Sequence, residues 1–314
     1  MKKIIVSLMV IVLGFFLGAC SKEEKVYGEI DILAPFGTPL IAVGGLLGKD
    51  NINIEAVNDP SLLTAAMVTK EKDIIIAPIT AGTASYIKGG SVYKMAGIVT
   101  LGNTYIVSRE SSTLTSVNDL EGKTITAYGR NNTPDIALKL LLDNANVTAT
   151  IDYQNSVGDV VALFNGTTPP EYILVAEPFL TQLKNKNTLN VLNVERVLQE
   201  KDVLDNIYQA AIFVNPESVK EDLNHAISLI EENLNSLNNN PESYAESVVD
   251  KHAYFTNLGV AVLKKSLPSA NLDFVGAFEN KTAIENYYNI INTYNDKLFN
   301  NQLPNSDFYY EYNK

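Results

Sequence analysis

Along this chain, short apolar runs alternate with stretches whose apolar residues recur at helical spacing. That alternation predicts strands feeding helices, and so a mostly parallel sheet covered on its faces. A first strand is expected over Glu29–Ala34, followed by the loop Pro35-Phe36-Gly37. Thr38-Pro39 reads as a helix N-cap with proline at the first helical position, opening a helix over Leu40–Leu47. A strand over Asn53–Val57 comes next, then a helix over Ser61–Thr69 with Leu62, Leu63 and Ala66 inward, and an apolar strand over Asp73–Ala77. Pro78-Ile79-Thr80-Ala81-Gly82 is expected to be that strand's loop, before a short helix to Ile87.

After Ser108 a second unit repeats the alternation. Leu114–Leu120 reads as a connecting turn, Thr124–Tyr128 as a strand and Gly129-Arg130-Asn131-Asn132 as a loop. Thr133-Pro134-Asp135 opens a helix whose Ile136, Leu140 and Leu141 fall at helical spacing. Thr150–Tyr153, a helix from about Gly158 to Phe164, the strand Tyr172–Ala176 and a helix begun by Glu177-Pro178 continue it. Thr-Pro starts a helix in both units, but it is a good helix start anywhere, so the repetition does not establish a duplication. Beyond a short strand at Ala211–Val214 the pattern turns helical, over about Ser218–Leu237, Pro241–Lys251, Leu258–Leu267 and Thr282–Asn300. The ending Phe308-Tyr309-Tyr310-Glu311-Tyr312 is dense enough in aromatic rings to dock on the body as a tail.

The amino terminus changes the picture. Lys2 and Lys3 precede an apolar run from Ile4 to Phe16 and then Leu17-Gly18-Ala19-Cys20. This run is short for a membrane span and reads as an export signal. Its ending resembles the lipobox of bacterial lipoproteins, with Gly18 a less usual choice. The resemblance implies cleavage before Cys20, lipid attachment at Cys20 and a tethered protein on the extracytoplasmic face of the cell membrane. An ordinary signal peptide, or an inert thiol, is the other reading. On the first reading, residues 1–19 are the signal peptide and residues 20–27 a tether.

Cys20 is the sole cysteine, so neither a disulfide nor a cysteine-metal cluster is open to this chain. The formal charge is −12, and losing Lys2 and Lys3 with the signal brings the body to about −14. Such an acidic body excludes nucleic acid as a partner and leaves the membrane to be reached through the lipid anchor. About 295 residues remain, enough for two domains.

In open parallel sheets, ligands sit beyond the carboxyl ends of the strands. Four loops hold that position here: Pro35–Thr38, Pro78–Thr83, Gly129–Thr133 and Glu177-Pro178. Helix-start amides in such loops favour anionic or acceptor groups. The chain has three arginines, Arg109, Arg130 and Arg196. Arg130 stands in one of the loops, where a guanidinium clamps a carboxylate, sulfonate or nitrate, or is simply a solvated cation. Asn131, Asn132 and Thr133 would donate beside it, although Thr133 serves equally as a cap. Glu177 fits an amino group as on a pyrimidine, or a helix-start acid held by the dipole. Phe36 fits a flat ligand or plain packing, and Tyr105 a ligand hydroxyl contact or the core. Thr80 and Thr83 serve either a ligand or their own turn.

Enzyme readings find little support. His225 and His252 are the only histidines, and neither has a second histidine at metal-ligand spacing. No Gly-x-Ser-x-Gly elbow occurs, and Gly44-Gly45-Leu46-Leu47-Gly48 ends a helix instead of opening one. No cofactor is expected.

The order of these loops, with Asp119-Leu120-Glu121-Gly122-Lys123-Thr124-Ile125 leading into the second unit, resembles substrate-binding proteins of ABC importers. The class is the nitrate, sulfonate and taurine type, which includes binders of thiamine-related pyrimidines. Ala34-Pro35-Phe36-Gly37-Thr38-Pro39 resembles its first ligand loop, and Val175-Ala176-Glu177-Pro178-Phe179 its Glu-Pro segment. Ala211-Ile212-Phe213-Val214-Asn215 resembles its return strand, and Leu303–Tyr310 the tail of some members. The resemblance covers nearly the whole mature chain. It implies a two-lobe α/β periplasmic-binding-protein fold of type II. Lobe 1 would be residues 28–107 and 210–314, and lobe 2 residues 108–209, with crossings near Tyr105–Ser108 and Gln209–Phe213. A small molecule would be clamped between the lobes by hinge closure, with a membrane permease as partner, the binder itself a non-catalytic monomer. The alternatives are an adhesin or sensor partner that kept the fold, or a pyrimidine-synthesis enzyme of the same fold. The lysine and histidine chemistry of the latter is not found in these loops.

Overall fold

The chain's structure is a computed structural model that describes residues 25–313. The expected signal segment, Cys20 and residues 21–24 of the tether lie outside the described residues. Strands β1 (Ile30–Pro35), β2 (Ile52–Val57), β3 (Ile74–Pro78), β4 (Lys94–Leu101), β10 (Tyr208–Val214) and β11 (Leu272–Gly276) form a six-stranded sheet in the order β11-β4-β10-β3-β1-β2. The remaining strands, β5 (Thr104–Arg109), β6 (Thr124–Ala127), β7 (Thr150–Tyr153), β8 (Tyr172–Ala176) and β9 (Leu189–Asn193), form a second sheet in the order β7-β6-β8-β5-β9. Each sheet is mixed, where the alternation of elements suggested a mostly parallel one. β1 runs parallel to β2 and β3, and β6 to β7 and β8, whereas β10, β4, β11, β5 and β9 pair antiparallel.

The chain passes from the first sheet to the second through Gly102-Asn103 and returns before Tyr208. Tyr105–Ser108 therefore lies within the second sheet and Gln209–Phe213 within the first. The two passages sit just outside those segments.

β3 reads as an unbroken apolar run because both its faces are covered: Ile74, Ile75 and Ile76 are each fully buried. One face of the first sheet packs on α1 (Thr38–Val43), α8 (Lys220–Asn239), α9 (Pro241–Val248) and α10 (Ala253–Ser266). The other packs on α2 (Pro60–Thr69), α3 (Ile79–Ile87) and α11 (Lys281–Tyr294). In the second sheet, α4 (Thr133–Asn144) and α7 (Val194–Glu200) cover one face, and α5 (Val157–Phe164) and α6 (Phe179–Lys184) the other. One apolar cluster continues from Met67, Ile75 and Phe213 of the first sheet's layer into Ile106, Ile125 and Leu138 of the second, and takes in Tyr208 and Tyr287.

The expected loop after β3 is the first turn of α3. Gly82 does not punctuate a turn there: it lets a ring approach, since a Cβ at Gly82 would lie 2.2 Å from Phe213. Neither Thr-Pro threonine caps its helix. Gly37 and Asn132 hold the N-cap positions, and both threonine hydroxyls turn elsewhere.

The two ends of the described chain meet on the first turns of α8. Lys25 pairs with Glu221, the Gly28 amide donates to Asp222 at 3.0 Å, and the Tyr27 ring stacks on His225 with centroids 3.6 Å apart. From the tail, the Tyr310 hydroxyl donates to Asn224 Oδ1 at 2.9 Å.

Candidate functional site

Of the four loops, two touch directly, through Thr80 and Asn132, and the other two bond to the connecting segments at Asn103 and Ser269. The loop after β1 turns at Gly37, whose φ of 104° and ψ of −153° belong to a region that side chains avoid. That turn sets Phe36 at the surface, 37% exposed, with its ring parallel to Tyr254 at 5.2 Å and His252 tilted against it at 6.0 Å. Thr38 is buried, and its hydroxyl accepts from Asn103 Nδ2 at 3.3 Å. The same nitrogen donates to the Ala270 carbonyl at 3.2 Å, which leaves the buried Oδ1 of Asn103 without a partner among the described residues.

Thr80, in the first turn of α3, is fully buried and donates to Asn132 Oδ1 at 3.1 Å. That bond joins a loop of the first sheet to a loop of the second. Thr83, one turn further on, points inward instead: its hydroxyl lies 2.7 Å from that of Tyr288, beneath β4.

On the second sheet's side, a buried carboxylate organises the loop before α4. Asp135 accepts from the Asn131 amide at 2.7 Å, from Lys139 at 2.8 Å and from the Tyr153 hydroxyl at 2.5 Å. Asn131 takes a left-handed φ of 63° to deliver that amide. Arg130 is exposed, its guanidinium 5.1 Å from the centroid of the Tyr153 ring. Thr133 is buried and its hydroxyl reaches the Tyr208 carbonyl at 3.5 Å.

Glu177, only 3% exposed, follows β8. One of its oxygens accepts from Ser269 at 2.6 Å and from the Thr181 hydroxyl at 3.1 Å; the other accepts from the Thr181 amide at 3.0 Å. Burial pushes its pKa above the usual carboxyl range, against the pull of the Ser269 and Thr181 bonds. The Tyr105 hydroxyl donates to the Ser269 carbonyl at 2.7 Å, and burial, helped by the charges of Glu177 and Glu195, raises its pKa. Glu177 and Tyr105 thus converge on Ser269, which stands just before β11 of the other sheet.

The expected residues fall into groups. Thr80 with Asn132, and Glu177 with Tyr105 through Ser269, are brought together; Phe36 and Arg130 are exposed; Thr83 belongs to the interior. Sequence reasoning missed Asn103, Ser269, Tyr254 and Asp135. Of these, only Asp135 carried a signal, as an acid in the first turn of a helix. Two open surface cavities, of about 460 and 490 Å³, lie elsewhere, beside Lys94 and Tyr310 and beneath Tyr27 and His225; neither includes a residue of this cluster. Among the described residues no group of three His, Cys, Asp or Glu is placed to hold a metal ion. No helix among them is long and apolar enough to cross a membrane. The cluster offers an aromatic face, hydroxyl and amide groups and an exposed guanidinium, which suits holding a small molecule.

Comparison with known proteins agrees with this geometry. The chain is similar to an ABC transporter structure from Parabacteroides distasonis, with a TM-score of 0.77 and 22% identity over 90% of this chain and 99% of that one. It is similar to the periplasmic aliphatic sulphonate binding protein of Escherichia coli, with a TM-score of 0.72 and 12% identity over 92% and 94% of the two chains. A Candida albicans gene product described as exhibiting the generic periplasmic binding protein structural fold aligns with a TM-score of 0.54 and 12% identity, over 89% and 92%. These likenesses identify the fold as the α/β periplasmic-binding-protein fold. No curated protein matches the sequence. The sequence model of the NMT1/THI5-like family matches residues 50–243, more than half of the chain, and the chain therefore belongs to that family.

Proposed function

We propose that this chain is the solute-binding component of an ABC importer. It clamps a small molecule between two α/β lobes, presents it to a membrane permease and does no chemistry on it. The observation that carries this reading is the Thr80–Asn132 bond, which draws segments covering the two sheets together. The solved neighbours support it, one described as an ABC transporter and one as a sulphonate binding protein. In this reading residues 28–107 and 210–314 form one lobe, residues 108–209 the other, and the chain works as a monomer. Cys20 carries the lipid that tethers it to the extracytoplasmic face of the cell membrane.

For the ligand we favour a planar, hydrogen-bonding ring of pyrimidine type. Phe36 and Tyr254 already form a parallel stack, which a flat ring on the outer face of Phe36 would extend. The cluster's buried acids are Glu177 and Asp135; Asp135 is already paired with Lys139, and Glu177, which lacks a cationic partner at bonding distance among the described residues, disfavours an anion beside it. A sulfonate is the second reading, favoured by Arg130. Thermal unfolding against panels of pyrimidines, sulfonates and nitrate tests the proposal, because a ligand that binds the folded state raises the midpoint. A rise with a pyrimidine that survives Arg130→Ala supports the first ligand reading. A rise with a sulfonate that Arg130→Ala abolishes supports the second. A flat response to every panel would count against a solute-binding role.

A further inference from the structure

The turn Leu267–Asn271, between α10 and β11, makes contact with the outgoing passage of the chain and with two buried carboxylates. Ser269 donates to Glu177, and the Ala270 carbonyl accepts from Asn103 in the outgoing passage. Asn271 Nδ2 donates to the Gly102 carbonyl at 2.9 Å and to Glu195 Oε2 at 2.7 Å.

Glu195 lies in the first turn of α7 and is 4% exposed. Its other oxygen, Oε1, accepts from the Ile207 amide at 2.9 Å and from the Gly102 amide at 3.3 Å. Gly102 belongs to the outgoing passage, and Ile207 is the last residue before the return strand. One carboxylate therefore holds both passages and the turn beside them. The fit leaves no space: a Cβ on Gly102 would lie 2.5 Å from the Glu195 carboxyl carbon and 2.7 Å from each of its oxygens. A buried carboxylate keeps its charge only while such donors surround it, so these bonds are coupled to one another.

We propose that Glu195 is the pin of the hinge: it holds the two passages side by side, and the lobes turn about it. The inference rests on the binding-protein reading for its purpose, but its geometry and its test do not. In a hinge the bending falls on a few residues at element ends while the packed elements stay rigid. Gly102-Asn103 and the residues before Ile207 are such positions, and Glu195 keeps them in register.

The test is hydrogen–deuterium exchange on the intact protein without added ligand, comparing wild type with Glu195→Gln, Asn271→Asp and the double variant. Glu195→Gln sets an amide N–H against Asn271 Nδ2, and Asn271→Asp gives that N–H an acceptor while giving up the bond to the Gly102 carbonyl, so recovery is expected to be partial. The expected result is exchange at Gly102 and Ile207 faster by about tenfold or more in Glu195→Gln, with β3 and β8 unchanged, and at least partly restored in the double variant. Gly102→Ala, which pushes the carboxylate aside, should reproduce the single variant. The proposal is overturned if exchange at Gly102 and Ile207 stays at the wild-type rate. An equal rise in β3 and β8, or no recovery in the double variant, also overturns it. Because no ligand is used, a failed ligand panel with this result intact removes the transport reading and leaves the pin in place.

Discussion

The Thr80 hydroxyl donates to Asn132 Oδ1 at 3.1 Å, and the two residues belong to helices that cover different sheets. In the proposed clamp the bond is made only while the lobes are drawn together, so it would report closure. Thr80→Val should leave stability within about 1 kcal/mol of wild type, the usual net worth of one such bond. It should also weaken ligand binding by up to about tenfold. Small-angle scattering of the unliganded variant should show a larger radius of gyration. An unchanged radius and unchanged affinity would remove the bond from any account of closure.

Glu177 gives a pH dependence with a definite sign. Its folded-state pKa lies above the ordinary range because it is buried, so its ionisation works against the fold. The stability it contributes is present in full below the ordinary carboxyl range and is lost as pH rises through the raised value. The melting temperature of wild type relative to Glu177→Gln should therefore improve on acidification from neutral pH. Asp59 and Asp119, held low by their hydrogen bonds, act with the opposite sign, but equally in both proteins. A wild-type-minus-variant difference that is flat with pH would contradict the raised value.

Thr83 separates packing from binding. Thr83→Val would leave the fully buried Tyr288 hydroxyl without its 2.7 Å partner, at a cost of about 1–3 kcal/mol. Denaturant unfolding should show that loss, with ligand affinity unchanged once the protein is folded. A loss of affinity at wild-type stability would return Thr83 to the site.

Phe36→Ala tests the aromatic face. The ring is 37% exposed, so truncation should cost little stability, about 1 kcal/mol or less. If a planar ligand stacks there, titration calorimetry should show affinity falling by about tenfold, in line with the ~1 kcal/mol of a ring pair. A planar ligand bound equally well by the variant would place it elsewhere.

Much of the parallel part of this fold is legible in the sequence, because β1, β3 and β8 are covered on both faces and so appear as apolar runs between turn residues. The antiparallel strands are less so. β4 carries Gly97 and register shifts against both neighbours, and β11 contains a polar Asp273, so partners distant in sequence decide that they are strands. Pro78 and Gly82 read as loop punctuation, yet Gly82 answers to the ring of Phe213. The loops that would hold a ligand are recognisable by their position after strands. Which side chains meet across them is not, since Ser269 and Asn103 stand in short connections with no periodicity to mark them. Glu195 looks like any acid near a helix start until the two passages fold against it.

Both ends of the described chain are fastened to α8, through Tyr27 with His225 and Tyr310 with Asn224. The segment from Thr104 to Asn193 carries neither end; two covalent connections join it to the rest, beside contacts such as Thr80 with Asn132 and Ser269 with Glu177. The molecule is thus mechanically lopsided, a frame that holds both ends and an arm that holds neither. A pull, a tag or an immobilising surface applied at either end loads the frame first, and reaches the arm only through the frame.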